Sequence, residues 1–141
     1  MQKVIITIVF LLTVMSFSYS QEKEMFSITV SISGMKSDKG DVYVALYSNE
    51  KSFLKDAFKG SIVAVKDKKA KVIFKNIEIG IYAISVFHDQ NDNKKMDTNF
   101  MGIPKEPIGC SNGATGFMGP PKFKKAKFTV ATDVVIPVRV K

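Results

Sequence analysis

The chain has 141 residues, 45% of them hydrophobic and 24% charged, and its 21 Lys and Arg against 13 Asp and Glu give a formal net charge of +8. A single cysteine and no tryptophan exclude an internal disulfide and a disulfide-pinned immunoglobulin domain. The length suits one domain whose core holds together without covalent staples.

Lys3 precedes the apolar run Val4 to Met15, and serines recur from Ser16 to Ser20. This order of charge, apolar stretch and small residues predicts a secretory signal peptide over residues 1–20, with Ser18 and Ser20 preceding cleavage after Ser20. The run falls short of the ~20 apolar residues that cross a bilayer, so no membrane span is expected after cleavage. No cysteine lies near the cleavage point to carry a lipid anchor. The mature chain, residues 21–141, is expected to be a single periplasmic or secreted domain.

Without Lys3 the chain keeps 20 basic and 13 acidic residues, a net charge of +7 that invites anionic partners. Two runs dominate it, Lys66, Lys68, Lys69, Lys71 and Lys75, then Lys122, Lys124, Lys125 and Lys127. For an exported protein these point to an acidic glycan, lipopolysaccharide or a membrane surface rather than nucleic acid. Equally, the lysines can form the wet faces and guarded edges of strands, since no aromatic residues alternate with them as a stacking platform requires.

Apolar residues recur with a period of two through most of the chain, the mark of half-buried strands. Phe26, Ile28, Val30 and Ile32 form a first row. Gly34 to Gly40 reads as a turn, and Val42, Val44 and Leu46 begin a second row with Tyr43, Ala45 and Tyr47 on its other face. Phe53, Leu54, Ala57 and Phe58 break the pattern and suit a short amphipathic helix or a crossover turn. Ile62 to Val65 and Ala70 to Phe74 flank Lys66 to Lys69 as a hairpin. Gly80 precedes the strongest strand, IYAISVFHD, and Lys124 to Val130 with Asp133 to Val140 closes the chain as another pair, Pro137 marking an edge. Seven strands and almost no helix predict an all-β, antiparallel, seven-stranded Greek-key β-sandwich, transthyretin-like or otherwise immunoglobulin-like in architecture. One region interrupts it. Residues 89–121 hold five of the nine glycines and four of the five prolines. Phe100, Met101, Ile103, Ile108, Phe117 and Met118 supply anchors that disordered segments lack, so this long loop is expected to be ordered over one end of the domain.

The stretch HDQNDNKKMDTN, residues 88–99, gathers three aspartates, three asparagines and the only histidine. Counted from Asp89, side-chain oxygens fall at positions one, three, five and nine as Asp89, Asn91, Asn93 and Asp97, and Lys95 offers a backbone carbonyl at seven. Alternate oxygens aimed at one centre are how a calcium loop works, and hard oxygen donors select Ca2+ over softer-ligand metals. Lys94 stands where an EF-hand has glycine and Phe100 where it has glutamate, so a shorter loop is expected, completed by Asn99 and Glu106. The other outcome is a metal-free turn in which these side chains bond nearby amides. His88 shares parity with Tyr82, Ile84 and Val86, which directs its ring to the core. Cys110 and His88 could form a thiol and imidazole pair, but nothing in the sequence orients them, and Ser111 lacks a hydrolase elbow. Met96, Met101 and Met118 read as gap-filling side chains rather than copper ligands.

Gly80-x-Tyr82-Ala83, His88-Asp89-x-Asn91-x-Asn93-x-x-x-Asp97-x-Asn99, Gly102-Ile103-Pro104-Lys105-Glu106, Gly109-x-Ser111-Asn112 and Gly119-Pro120-Pro121 form a long ordered motif series. It resembles the exported bacterial family named domain of unknown function 2141, from about Ile28 to Val138. The resemblance implies export and a small prealbumin-type sandwich, and leaves activity open. The resulting expectation is a non-enzymatic exported protein whose cation-binding loop supports recognition of an envelope, glycan or protein partner. The rival expectation is a metal-independent adhesion or glycan-binding module that uses the glycine-rich loop and the basic strand faces.

Overall fold

A computed structural model describes residues 22–141; the expected signal segment lies outside them. Within this span the chain is all-β, with eight strands and only two short helical turns. The strands are β1 (Met25–Ser33), β2 (Asp41–Tyr47), β3 (Lys59–Ala64), β4 (Lys69–Glu78), β5 (Gly80–Asp89), β6 (Ile108–Cys110), β7 (Phe128–Val130) and β8 (Val134–Arg139). A 3₁₀ turn covers Ser111–Gly113, and a single helical turn, α1, spans Phe123–Ala126. Phe53 and Leu54 lie in turns, not in a helix.

Two sheets form. One has the order β4-β1-β8, the other β3-β2-β5-β6, with β7 pairing β5 beside them. The alternating apolar rows all turn inward to one core. Ile28, Val30 and Ile32 of β1 meet Val72 and Phe74 of β4, and these pack with Val42, Val44 and Leu46 of β2 and Ile84 and Val86 of β5. Fully burying one such side chain is worth about 1.5–3 kcal/mol, which lets this core outweigh the entropy of ordering two sheets.

Two expectations fail on pairing and one on strand position, and Lys124–Ala126 turn as α1 so that only Phe128–Val130 remains of the strand expected over Lys124–Val130. The turn at Lys66–Lys69 forms, with both central residues, Asp67 and Lys68, at positive φ (53° and 57°), and the Asp38 carboxylate accepts from both of their amides. Yet only Lys66 and Lys69 pair across it. Beyond that bridge β3 joins β2 and β4 joins β1. Likewise β7 and β8 are no hairpin. Ala131–Asp133 carries the chain from one sheet to the other, so β8 lies parallel to β1, and the corner is fixed where Ser27 N–H donates to Asp133 Oδ1 at 2.7 Å. The sheets are therefore not all antiparallel. Finally β6, the eighth strand, sits inside the span that lacked alternation. Three residues ending in Gly109 and Cys110 are too few to show a period, and β6 exists because β5 offers it an edge.

β8 is an edge strand, as Pro137 requires. Its continuation ties the two sheets together. Val140 N–H donates to Ser33 O, and Lys141 and Ile108 exchange backbone bonds of 3.0 and 3.2 Å. β6 approaches this corner so closely that a Cβ on Gly109 would lie 2.5 Å from the Arg139 carbonyl oxygen. Gly109→Ala is expected to lower stability by about 1–3 kcal/mol through overpacking. Gly119→Ala, whose Cβ meets nothing within 4 Å, should change it by less than about 0.5 kcal/mol. Urea unfolding midpoints of the two variants check the contrast.

Candidate functional site

β5 ends at Asp89, paired with Asp41 of β2, and the long loop leaves from there. Gly40 makes the approach possible, because a Cβ at its φ of +71° would fall on the Asp89 carbonyl. The loop is then built by its own polar side chains. Asp89 accepts from the backbone amides of Asn93 (3.3 Å) and Lys94 (2.8 Å), folding residues 89–94 into a tight turn with Asp92 and Lys94 at positive φ. The side-chain amides of Asn91 and Asn93 both donate to the Asp97 carboxylate, at 2.6 and 2.9 Å. Those bonds hold Asp97 below the usual carboxylate range, Asn93 contributing most and Asn91 next. Buried Glu106 closes the arrangement from the far side, accepting from Gln90 N–H and Asp97 N–H at 3.2 Å each. Burial pushes its carboxyl upward, the Asp97 amide pulls it back, and the Asp89 and Asp97 charges push it up again.

Five of the seven expected oxygen donors, Asp89, Asn91, Asn93, Asp97 and Glu106, thus belong to one network. Asn99 does not join it. Its Oδ1 accepts from Met101 and Ile103 N–H instead, capping a second tight turn. Lys95 donates its amide to Asn93 Oδ1. Among the described residues no group of three or more His, Cys, Asp and Glu side chains is placed to hold a metal ion.

Past this network residues 97–105 form a finger. Lys105 N–H donates to Asp97 O and Asn99 N–H to Ile103 O, with a bridge between Thr98 and Pro104. Such a finger has no alternating burial, so no period in the sequence could announce it. The chain then returns through β6, the 3₁₀ turn and residues 114–122 to α1.

These segments cover the outer face of the five-stranded sheet unevenly. At one end a small second core closes over it, where Tyr47 packs edge-on against Phe53 at 5.2 Å and Phe53 against Phe123 at 5.6 Å, with Ala83, Cys110, Ala114 and Ala126 beneath. At the other end Tyr43 and Phe87 stack at 4.7 Å with their rings 14° apart. Between them and the loop runs a groove of about 1440 Å³, lined mostly by apolar side chains from β2, β3 and β5 and by Met96, Met101, Ile103 and Met118 from the loop. The Tyr43 hydroxyl is raised by partial burial and by the carboxylates of Asp89, Asp41, Asp92 and Glu106, in that order, so it stays a hydrogen-bond donor at neutral pH. The groove escaped the sequence reading, though Tyr43, Ala45 and Tyr47 were its signal: a strand apolar on both faces has both faces covered.

Cys110 and His88 do not form a pair. Cys110 lies opposite Ser85, on the outer face, and burial pushes its thiol up to about 11. His88 points inward, fully buried, with Nε2 2.7 Å from Lys39 O and Nδ1 without a partner. Buried Ser111 is structural, its hydroxyl donating to Ala126 O and accepting from Ile84 N–H.

A model of the bacterial family described as uncharacterized protein conserved in bacteria, domain of unknown function 2141, matches residues 30–136, and the chain belongs to that family. No curated protein and no solved structure shows significant similarity to it.

The lowered Asp97 value sets a pH dependence. Its contribution is present above the unfolded carboxylate pKa and is lost as pH falls through the folded one. Asp97→Asn is therefore expected to unfold at lower temperature than the parent near neutrality, with the gap closing below about pH 4. Thermal melts of both chains across that range measure it.

Proposed function

We propose that this family member is an exported, non-catalytic binding protein that takes an apolar ligand into the groove between the Tyr43–Phe87 face and the long loop. The observation that carries this is the groove itself, an apolar channel of about 1440 Å³ beside a stacked aromatic pair. It exceeds the roughly 300–1,000 Å³ of a typical small-molecule pocket and suits an extended ligand. Its methionines adapt to varied apolar shapes. Burial pushes the Cys110 thiol in its wall up to about 11, and Tyr43 supplies a polar contact at its end. The scaffold is read as a β-sandwich of prealbumin type, with the Asp89–Glu106 network bracing the loop that forms the upper wall.

A second reading keeps the Ca2+ expectation. It is favoured by the meeting of Asn91, Asn93 and Asp97 side chains, whose carbonyl and carboxylate oxygens could turn to a cation with Asp89 and Glu106 supplying charge. Against it, Asp89 and Glu106 are already engaged by backbone amides, so affinity belongs in the ~10⁻⁴–10⁻³ M range of extracellular calcium modules. The metal-independent alternative, a glycan-binding module using the glycine-rich loop and the basic strand faces, is less favoured because the groove beside that loop is mostly apolar.

Nile red, a neutral apolar dye, is expected to bind the mature chain saturably with enhanced fluorescence. Ile62→Glu places a charge on the exposed outer face of β3, at a side chain 58% exposed and opposite Tyr43. It should weaken binding about tenfold or more with little change in melting temperature. Undiminished binding by this variant defeats the groove. For the cation, ~1 mM calcium should raise the melting temperature by the amount that binding at such affinity allows, about 0.4–1.4 kcal/mol of stability, reversed by chelator. A flat calorimetric titration removes the ion from the account.

A further inference from the structure

The long loop presents the same five-residue pattern twice. Phe100-Met101-Gly102-Ile103-Pro104 and Phe117-Met118-Gly119-Pro120-Pro121 are both Phe-Met-Gly-X-Pro. Each copy is a protruding turn. The first is the tip of the 97–105 finger, with Gly102 at φ +76° and Asn99 capping it. The second is so tight that a Cβ on Gly116 would fall on the Gly119 carbonyl, and it holds Met118 at φ 54°.

Neither tip phenylalanine packs on its own domain. Phe100 is 96% exposed, Phe117 89% and Met118 95%, figures that describe side chains with almost no contact in the free protein. Singly exposed apolar residues are ordinary, but two matched aromatic and thioether pairs in two segments of like sequence are not. Met101 and Met118 both line the groove, so the tips flank its mouth.

The charge around them selects the partner. Lys94 and Lys95 precede the groove residue Met96, Lys105 follows Pro104, and Lys122 follows Pro121, with Lys124 and Lys125 a turn further on. All six are exposed, against the partly or fully exposed acids Asp92 and Asp97. Apolar and aromatic tips with exposed lysines on either side of them along the chain match a surface that is anionic outside and hydrocarbon within. We infer that the two Phe-Met-Gly-X-Pro tips are a docking surface for an anionic lipid bilayer, Phe100, Phe117 and Met118 entering the acyl boundary while the lysines meet lipid headgroups. Among the described residues no helix is long and apolar enough to cross a membrane, and the contact inferred for the tips is peripheral and reversible. It places the mouth of the groove against the lipid, but it stands independently of whether the groove holds a ligand.

The chain from Gln21 onward contains both sheets and the whole core, so it is used without the apolar leader, which would bind lipid by itself. Co-sedimentation is measured with vesicles of phosphatidylcholine alone and of phosphatidylcholine mixed with phosphatidylglycerol. Partitioning is expected only with the anionic lipid, falling steeply at about 0.5 M salt. Phe100→Ser/Phe117→Ser should lower it about tenfold or more while Nile red binding, to which neither phenylalanine contributes a groove wall, and the melting temperature stay as in the parent. No partitioning by the parent overturns the inference. So does equal partitioning by the double variant, which would assign the binding to surface lysines alone. A parent that is dimeric by light scattering, ignores vesicles and becomes monomeric on the double substitution would assign the tips to a second copy of the chain.

Discussion

Strand β5 is apolar on both faces, and the fold is arranged to cover each of them. Its inward residues, Tyr82, Ile84, Val86 and His88, are buried against the three-stranded sheet. Its outward residues, Ala83, Ser85 and Phe87, have no second sheet to meet. They are covered by what the chain has left, the turn around Phe53, the short β6, α1 and the long loop. A strand with two apolar faces is expected at the centre of a layered structure. Here one layer is regular and the other is made of loops, and the loop layer is incomplete over Tyr43 and Phe87. The groove is the space left by that mismatch.

The loop can serve as a wall because its rigidity is internal. Asp89, Asn91, Asn93, Asp97 and Glu106 bond one another or local amides within 18 residues of chain, so the turn at 89–94 and the base of the 97–105 finger are held without a hydrophobic core of their own. Glu106 carries a burial cost. Burial disfavours its charge, and only the two amide bonds it accepts offset that. The same side chains that read as a cation shell in the sequence are, in the folded chain, a set of mutual and backbone hydrogen bonds.

Much of the fold was legible because alternation reports which side chains turn inward. The rows at Phe26–Ile32, Val42–Leu46 and Tyr82–His88 all lie in strands with the expected face buried, His88 included. Alternation does not report which strand is the neighbour. The turn residues Asp67 and Lys68 took the conformation a hairpin wants, yet their strands parted to different sheets, and the last two strands met a corner instead of each other. The site divided in the same way. The spacing Asp89, Asn91, Asn93, Asp97 placed oxygens together, as local geometry dictates. Asn99, two residues further, fell on the other side of a finger that has no periodic signature. The groove depended on strand pairing and loop path at once, and neither is written in a local pattern.

The parallel pairing of β1 with β8 joins residues 28–33 to residues 134–139. Contacts of such sequence separation have a large loop-closure entropy to overcome and form late, after the intervening chain has collapsed. The three-stranded sheet is completed only once β8 has been made, so a nascent polypeptide that stops short of Val134 holds β1 and β4 without their third strand.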